Sequence, residues 1–524
     1  MIRDYLKRHT NPPVFLVSGA LLILVVLSAC IVPGRFASVA EMVQGFITTH
    51  FGWLYILSFN VFLVFVLVVA LGRFGHLRLG EDDSRPEFGT WSWISMMFTA
   101  GMGIGLVYYG VSEPLAHFKN PPVATPETAA AAQNAMNFTF LHYGLHPWAG
   151  YIVIGLALGY FSFRRGLPLK PASALYPLIG DRIYGPIGHT IDIIAVFGTL
   201  FGLATSIGLG ATQIAAGIGD LFGFESGLTT QLLVILGVEV VAIASVMLGV
   251  DAGIRRLSVF NMYLAVGLAA FVFAVGPTLY ILSSIANDTG YYFQHLIGTS
   301  LTIFEDAKGR DFQQAWTLLY WAWWISWSPF VGMFIARISY GYTIRQFVLG
   351  TLLVPTGASF VWFVIFGRTA LDAVMNGQSS ALMDADAAHA IFVLMDQLPV
   401  GAIVAGMASA VTILVVTLFF ATSSDSGSLV VDILTNGGDP DPIWQQRMFW
   451  AIMEGAVAAV LLLAGTLGGG NPLSALQTAS ITSGLPMCVV LLVMCFTLYK
   501  ALQDEDQPAP RRAPSGRRET QRTR

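Results

Sequence analysis

Apolar residues run through this chain in blocks of roughly twenty, about the length that a bilayer core demands of a helix. About twelve such blocks can be drawn. They begin near Val14, Gly52, Thr90, Phe138, Thr190, Thr230, Leu257, Phe312, Gln346, Val400, Phe449 and Asn471. The basic residues between them cluster on alternate sides. Arg3, Lys7 and Arg8 precede the first block, and Arg73 and Arg78 follow the second. Arg164, Arg165 and Lys170 follow the fourth, Arg255 and Arg256 the sixth, Arg337 and Arg345 the eighth. Cytoplasmic loops are the Lys- and Arg-rich ones, so these loops and both termini are expected in the cytoplasm. Glu113 to Met136, with Pro121, Pro122, Pro126 and an alanine run, then reads as an external loop.

The pattern divides the chain into five parts. Residues 1–89 carry two helices outside any repeat. Residues 90–285 hold the third to seventh spans and 312–499 the eighth to twelfth. Between them, 286–311 mixes Tyr291, Tyr292 and Phe293 with Glu305, Asp306 and Lys308, which fits an amphipathic helix on the outer interface or a plain loop. Residues 500–524 form a polar tail. Five spans per block is an odd number, so the two blocks are expected to be inverted relative to each other. Each block also opens on a helix expected to be interrupted, the first by Gly101, Gly103 and Gly105, the second by Pro329. Interrupted segments in corresponding positions of two halves are the sequence pointer to a transporter's binding site.

Composition agrees: 55% of residues are hydrophobic and only 11% charged, against roughly 25% charged in soluble proteins. Cys30, Cys488 and Cys495 sit in apolar runs with no paired spacing, which indicates neither disulfides nor a metal site. There is no phosphate loop of the GxxxxGK type, and SSDSGS at 423–428 has no strand before it, so neither an ATP-driven pump nor an enzyme is expected. No cofactor and no nucleic-acid partner is expected. The tail's arginines from Arg511 onward either bind anionic lipid or form a solvated face.

The densest chemistry lies between Trp316 and Arg337. Tyr320, Trp323, Trp324 and Trp327 fall at i, i+3, i+4 and i+7 and share one helical face. A wall of indoles beside Pro329 suggests a box for an organic cation, worth about 0.5–2 kcal/mol per ring; the competing reading is an interfacial aromatic belt. The fourth span adds His142, Tyr143, His146, Trp148 and Tyr151. The aromatics there suit the opposite wall, and the two histidines fit packing better than a metal site for want of a third ligand. The three alternate glycines suggest an unwound segment with free carbonyls. In the tenth span, Phe419, Thr422 and Ser423 offer oxygens of the kind a small hard cation prefers. Asp425 there needs a partner, because an intramembrane carboxylate is costly alone, and Arg337 is the expected one.

At these residues the chain resembles the betaine/choline/carnitine transporter family. GMGIGLVYYGVSEPL, LHYGLHPWAGY and WAWWISWSPFVGMFIARIS carry the likeness, which runs from about the third span to the tenth. The resemblance implies an all-α membrane protein of about twelve helices with a LeuT-type 5+5 inverted repeat, commonly a homotrimer, in a bacterial inner membrane. It implies substrate contacts from Tyr143, Trp148, Tyr151, Trp323, Trp324 and Trp327, with Gly101, Met102, Gly103 and Gly105 at the broken helix. It implies a sodium ion on Thr99, Met102, Phe419, Thr422 and Ser423. A second ion would involve Thr199 and Phe330, although Leu203 stands where its other hydroxyl belongs. Arg337 and Asp425 would form a gate. Choline-type, proton-coupled relatives tend to carry an acidic residue at the position of Gly105, so a zwitterion such as glycine betaine or dimethylsulfoniopropionate, imported with sodium, is the expected substrate. Tyr143, where Trp is common, adds a hydroxyl to the box. The alternatives are a proton-coupled or uncoupled choline or carnitine transporter of the same family, or an osmolyte-gated channel or receptor.

Overall fold

The computed structural model describes residues 2–101, 103–248, 255–377, 379–468 and 473–505, without the side chains of residues 2, 3, 5, 7, 95, 98–101, 248 and 255. Met102 and the tail from 506, with its proposed lipid-binding arginines, lie outside the described residues, as do the side chains of Thr99 and Gly101.

Among the described residues the chain is helical, apart from turns and one isolated bridge between Arg78 and Thr343. After a short helix at Ile2–His9 come α1 (Pro12–Ile31) and α2 (Pro33–Leu71). Four shorter helices follow in two pairs, α3 (Thr90–Gly101) with α4 (Ile104–Lys119) and α5 (Ala129–Tyr143) with α6 (Leu145–Gly159). Then come α7 (Pro186–Phe222), α8 (Leu228–Leu248), α9 (Arg255–Val275) and α10 (Thr278–Leu301). The last five are α11 (Leu318–Arg337), α12 (Ile344–Phe363), α13 (Ala402–Asn436), α14 (Trp444–Leu467) and α15 (Ser474–Glu505). Ten of the described helices are long and apolar enough to cross a membrane; α11 and α12 reach that length as Ala307–Arg337 and Ile344–Met375, through π-helical turns at Gln313–Thr317 and Val364–Arg368. The two pairs are the segments that read as single spans from Thr90 and from Phe138.

Two expectations are corrected. The stretch Glu113 to Met136 is not a loop. α4 runs on through Pro114 to Lys119, and α5 begins at Ala129, where Thr128 caps it by accepting from the Ala131 amide at 3.2 Å. The alanine run is the first turn of a helix, as the high helix propensity of alanine favours. Second, Pro329 does not interrupt its helix. Proline has no N–H for the Ile325 carbonyl four residues back, but the Ser328 hydroxyl donates to that carbonyl at 2.7 Å, and α11 continues to Arg337. Of the two readings left open for 286–311, most of the segment is helical: α10 starts at Thr278, after the Gly276–Pro277 step, and runs to Leu301.

The Trp-bearing helix is the centre of the molecule. Its spanning window is 94% buried, against 28% for α1 and 22% for α9, whose apolar side chains face outward as lipid contact requires. Backbone contact puts it there. A Cβ on Gly332 would lie 2.2 Å from Ile154 and 3.1 Å from the Gly155 amide, so α11 and α6 cross glycine on glycine. On the other side, a Cβ on Gly202 would lie 2.5 Å from the Trp327 ring. Small residues at such crossings let membrane helices approach closely, and here they place the indoles of α11 against α6 and α7.

Candidate functional site

The break between α3 and α4 falls where the glycines are. α3 ends at Gly101, and Gly103 caps α4 in extended backbone (φ −109°, ψ −159°) with no side-chain capping bond. The glycines also make room. A Cβ on Gly103 would stand 3.0 Å from the Trp327 ring, and one on Gly105 would stand 2.8 Å from Trp323 and 3.4 Å from the Tyr143 hydroxyl. The second break, at Gly144 between α5 and α6, was not anticipated. A Cβ there would meet the Phe140 carbonyl at 2.4 Å, and Pro147 three residues on removes an amide from the new helix. The local signal was Gly144-Leu-His-Pro147, hidden because the apolar run continues across it.

These two breaks and α11 border a cavity lined by Gly103, Gly105, Leu106, Tyr143, Pro147, Trp148, Tyr151, Trp323, Trp324, Trp327 and Ser359. The six aromatics expected at the box therefore share one cavity. Trp323 and Trp324 stack with centroids 4.7 Å apart at 12°. Tyr143 and Tyr151 stand edge-on to Trp324 at 5.4 and 6.4 Å, and Trp148 is edge-on to Tyr151 at 5.5 Å. Indole hydrogen bonds fix two of the rings: Trp323 Nε1 donates to the Gly202 carbonyl (3.2 Å) and Trp324 Nε1 to the His142 carbonyl (2.8 Å). Trp327 Nε1 and Tyr151 Oη are buried with no partner. A buried donor left unpaired costs about 1–3 kcal/mol, so two of them on one cavity suit a ligand that brings acceptors. The fourth member of the α11 stripe, Tyr320, is buried behind the box rather than lining it.

The expected ion ligands are less uniform. The Thr422 hydroxyl back-bonds to the Leu418 carbonyl at 2.7 Å and to the Phe419 carbonyl at 3.2 Å, the ordinary habit of a helical threonine. Ser423 is buried on the same turn, and α13 packs against α3 and α4. Thr199 has a buried hydroxyl without a partner, Phe330 is buried in α11, and Leu203 fills the position between helices with its side chain against Gly427.

The gate pair does not form. Arg337 reaches Asp441 at 3.3 Å, while Asp425 is held by Arg447 at 2.6 Å and by the Ser245 hydroxyl. Asp425 lies in the middle of α13, fully buried, and Arg447 projects to it from the first turn of α14; Arg337, at the end of α11, is nearer the surface. The residue beside Asp425, Ser424, lies between the carboxylates of Glu239 (3.0 Å) and Glu454 (3.3 Å).

Sequence reasoning also missed a cluster behind the box. His142 Nδ1 is 2.6 Å from Glu113 Oε1, His117 Nε2 is 3.1 Å from the same oxygen, and Tyr320 Oη is 2.5 Å from Glu113 Oε2. His142 and His146 are not a pair, since His146 Nε2 faces Asn60 Oδ1 at 3.3 Å. The signal was Glu113 and His117 at i, i+4 in one apolar helix, masked by the misread loop.

Interrupted helices around an aromatic cavity, inside a bundle of membrane-length helices, define a multi-pass membrane transporter. Residues 13–507 match the model of the betaine/carnitine/choline family transporters, and the chain belongs to that family. It is a transporter and not an enzyme. A probable glycine betaine transporter of Desulfitobacterium hafniense is 42% identical over 94% of this chain and 97% of its own length. The glycine betaine transporter of Acinetobacter baylyi is 42% identical over 94% of this chain and 74% of its own, and that of Bacillus subtilis 40% identical over 94% of each. A manganese transporter of Eremococcus coleocola overlays with a TM-score of 0.41 at 12% identity, over 82% of this chain and 92% of its own, too loose a likeness to define a repeat.

Proposed function

We propose that this chain is a secondary symporter that imports a zwitterionic onium solute of the glycine betaine or dimethylsulfoniopropionate type with sodium. Twelve crossings, ten long helices and two broken ones, form two inverted five-helix blocks that rock about the cavity. The observation that carries the reading is the cavity itself. Its indole and phenol faces suit a methylated cationic head, and the unpartnered Trp327 Nε1 and Tyr151 Oη suit the carboxylate of the same molecule. None of its described lining residues is charged, which favours a ligand that carries its own counter-charge over a bare cation. The names of the relatives, glycine betaine transporters among them, point the same way. The test is competition in proteoliposomes among betaine, dimethylsulfoniopropionate, carnitine, choline and ectoine. Choline as the strongest competitor would overturn the zwitterion assignment.

Two further outcomes are expected. Gly105→Ala sets a methyl 2.8 Å from the rigid Trp323 ring, so the ring must tilt into the cavity. The substrate KM should rise about tenfold, the worth of roughly one cation–π contact at about 1.4 kcal/mol; an unchanged KM would place the substrate elsewhere. Sodium is assigned to the Thr99, Met102 and Phe419 carbonyls with the Thr422 and Ser423 hydroxyls, and a second ion to Thr199 and Phe330. Thr422→Ala with Ser423→Ala should then raise the sodium concentration for half-maximal uptake several-fold. Uptake equally fast in potassium buffer would end the coupling assignment. A homotrimer in the inner membrane, with both termini cytoplasmic and the basic tail on anionic lipid, completes the proposal.

A further inference from the structure

Three helices that pack on one another, α8, α13 and α14, carry four carboxyls, Glu239, Asp425, Asp432 and Glu454, and one cation, Arg447. All five side chains are buried. The guanidinium binds Asp425 at 2.6 Å and faces Asp432. Glu239 and Glu454 are left to each other. They meet across Ser424, whose hydroxyl oxygen is 3.0 Å from Glu239 Oε2 and 3.3 Å from Glu454 Oε2.

Glycines make the room. A Cβ on Gly455, the residue after Glu454, would lie 2.7 Å from Glu239 Cγ and 3.1 Å from its Oε1, so the Glu239 side chain rests on the backbone of α14. A Cβ on Gly427 would lie 3.3 Å from Glu454 Oε1. Both Oε1 atoms are buried with no hydrogen-bond partner.

The hydrogens can be counted. The Ser424 hydroxyl has one, so it donates to one carboxyl and not to both. With both carboxyls ionised, the second contact sets lone pair against lone pair, and two like charges share an apolar seam without a counter-ion. Two carboxyls so placed do not both ionise readily, and such pairs hold one proton in common. One proton repairs both faults. The protonated carboxyl donates to Ser424, Ser424 donates to the other, and the remaining charge is the acceptor of that bond.

We propose that Glu239 and Glu454 form a proton-binding dyad that holds one proton across Ser424 at neutral pH, and that this proton ties α8 and α14 to α13. Ser424 adjoins Ser423, so the tie sits beside the proposed sodium ligands, although the inference does not depend on that assignment. Among the described residues, the ionisable groups that act on the dyad are its own two carboxyls and Asp425. Charges on the other helices packed against α8 and α14 are engaged or lie away from the seam. On α7, Asp192 pairs with Lys170, Asp220 faces His389, and His189 is in the first turn. On α2, Arg35, Glu41 and His50 are exposed. On α15, Lys500, Asp504 and Glu505 fall in the last two turns, and α1 carries no charged residue.

The proton is read by infrared spectroscopy of the purified full-length protein at about pH 7, where an ordinary glutamate, with a pKa of about 4.3, is ionised. The C=O stretch of a carboxylic acid stands apart from the bands of a carboxylate. Glutamine mimics the protonated partner, because its amide donates to Ser424 and carries no charge. Glu239→Gln and Glu454→Gln should each lose the absorption of one carboxylic acid, and the double variant no more than either alone. Stability gives a second reading. A native state that keeps a proton the unfolded chain has released loses stability as pH rises. Between about pH 5.5 and 8, the unfolding constant of the unmodified protein relative to either Gln variant should therefore rise about tenfold per pH unit. No loss of carboxylic-acid absorption in either variant, or a relative stability that is flat with pH, overturns the dyad. A double variant that loses twice as much as each single one also overturns it, since the two protons would then be separate. Both single variants should fold, because a neutral donor replaces a protonated one; failure of both to fold would mean that the charges themselves are needed, and counts against the proposal.

Discussion

Trp324→Ala and Trp327→Ala are expected to abolish measurable uptake while the protein still inserts in the membrane. Each ring contributes to the box in two ways. Trp324 stacks on Trp323 and presents its edge or face to Tyr143 and Tyr151, and Trp327 meets Trp323 at 6.4 Å and closes over Gly103. Losing one cation–π contact and the stacking that orients its neighbours costs about 2–3 kcal/mol in binding, roughly 30- to 150-fold in affinity.

Truncating a buried tryptophan also leaves a void, and large-to-Ala changes in a core cost about 3–5 kcal/mol of stability. The measurement therefore pairs initial uptake rate with a thermal melt in detergent. Trp324→Phe is the control. It keeps an aromatic face and gives up the bond to the His142 carbonyl, so it should lose affinity by less than the Ala variant. Uptake kinetics unchanged in both Ala variants would remove the box as the substrate site. Loss of uptake with an equal collapse in melting temperature for Trp324→Phe would instead assign the ring a structural role.

How much of this was legible in the sequence depended on distance along the chain. Trp323, Trp324 and Trp327 could be projected on one face because helical periodicity is a local property. Gly103 and Gly105 could be tied to a broken helix because the residues that cause it are the residues that show it. The partners of buried charges could not be read in this way. Asp425 called for a cation, and sequence offered Arg337 at a helix end; the choice of Arg447 follows from how α13 and α14 cross, which no local pattern encodes. Pro329 misled for a related reason. Proline frees a carbonyl, but whether the helix breaks depends on what satisfies that carbonyl, and at Pro329 it is the neighbouring Ser328.

Arg447→Ala is expected to destabilise the protein strongly, and Arg337→Ala to leave it nearly unchanged. The Arg447 side chain is 6% exposed and Asp425 not at all. Asp432, two turns further along α13, faces the same guanidinium with neither carboxylate oxygen hydrogen-bonded. Removing the cation leaves two carboxylates in an apolar seam between helices. Breaking a buried pair in this way costs about 3–5 kcal/mol, because the remaining charge is uncompensated. Arg337 pairs instead with Asp441, which is 86% exposed, and such a pair is worth about 0–1 kcal/mol. The two variants should separate cleanly in a detergent melt. The double variant Arg447→Ala with Asp425→Asn should recover part of the loss, since one of the stranded charges is gone. Equal melting temperatures for Arg447→Ala and the unmodified protein would mean that the carboxylates take up protons at little cost, and that the pair does not hold α13 to α14.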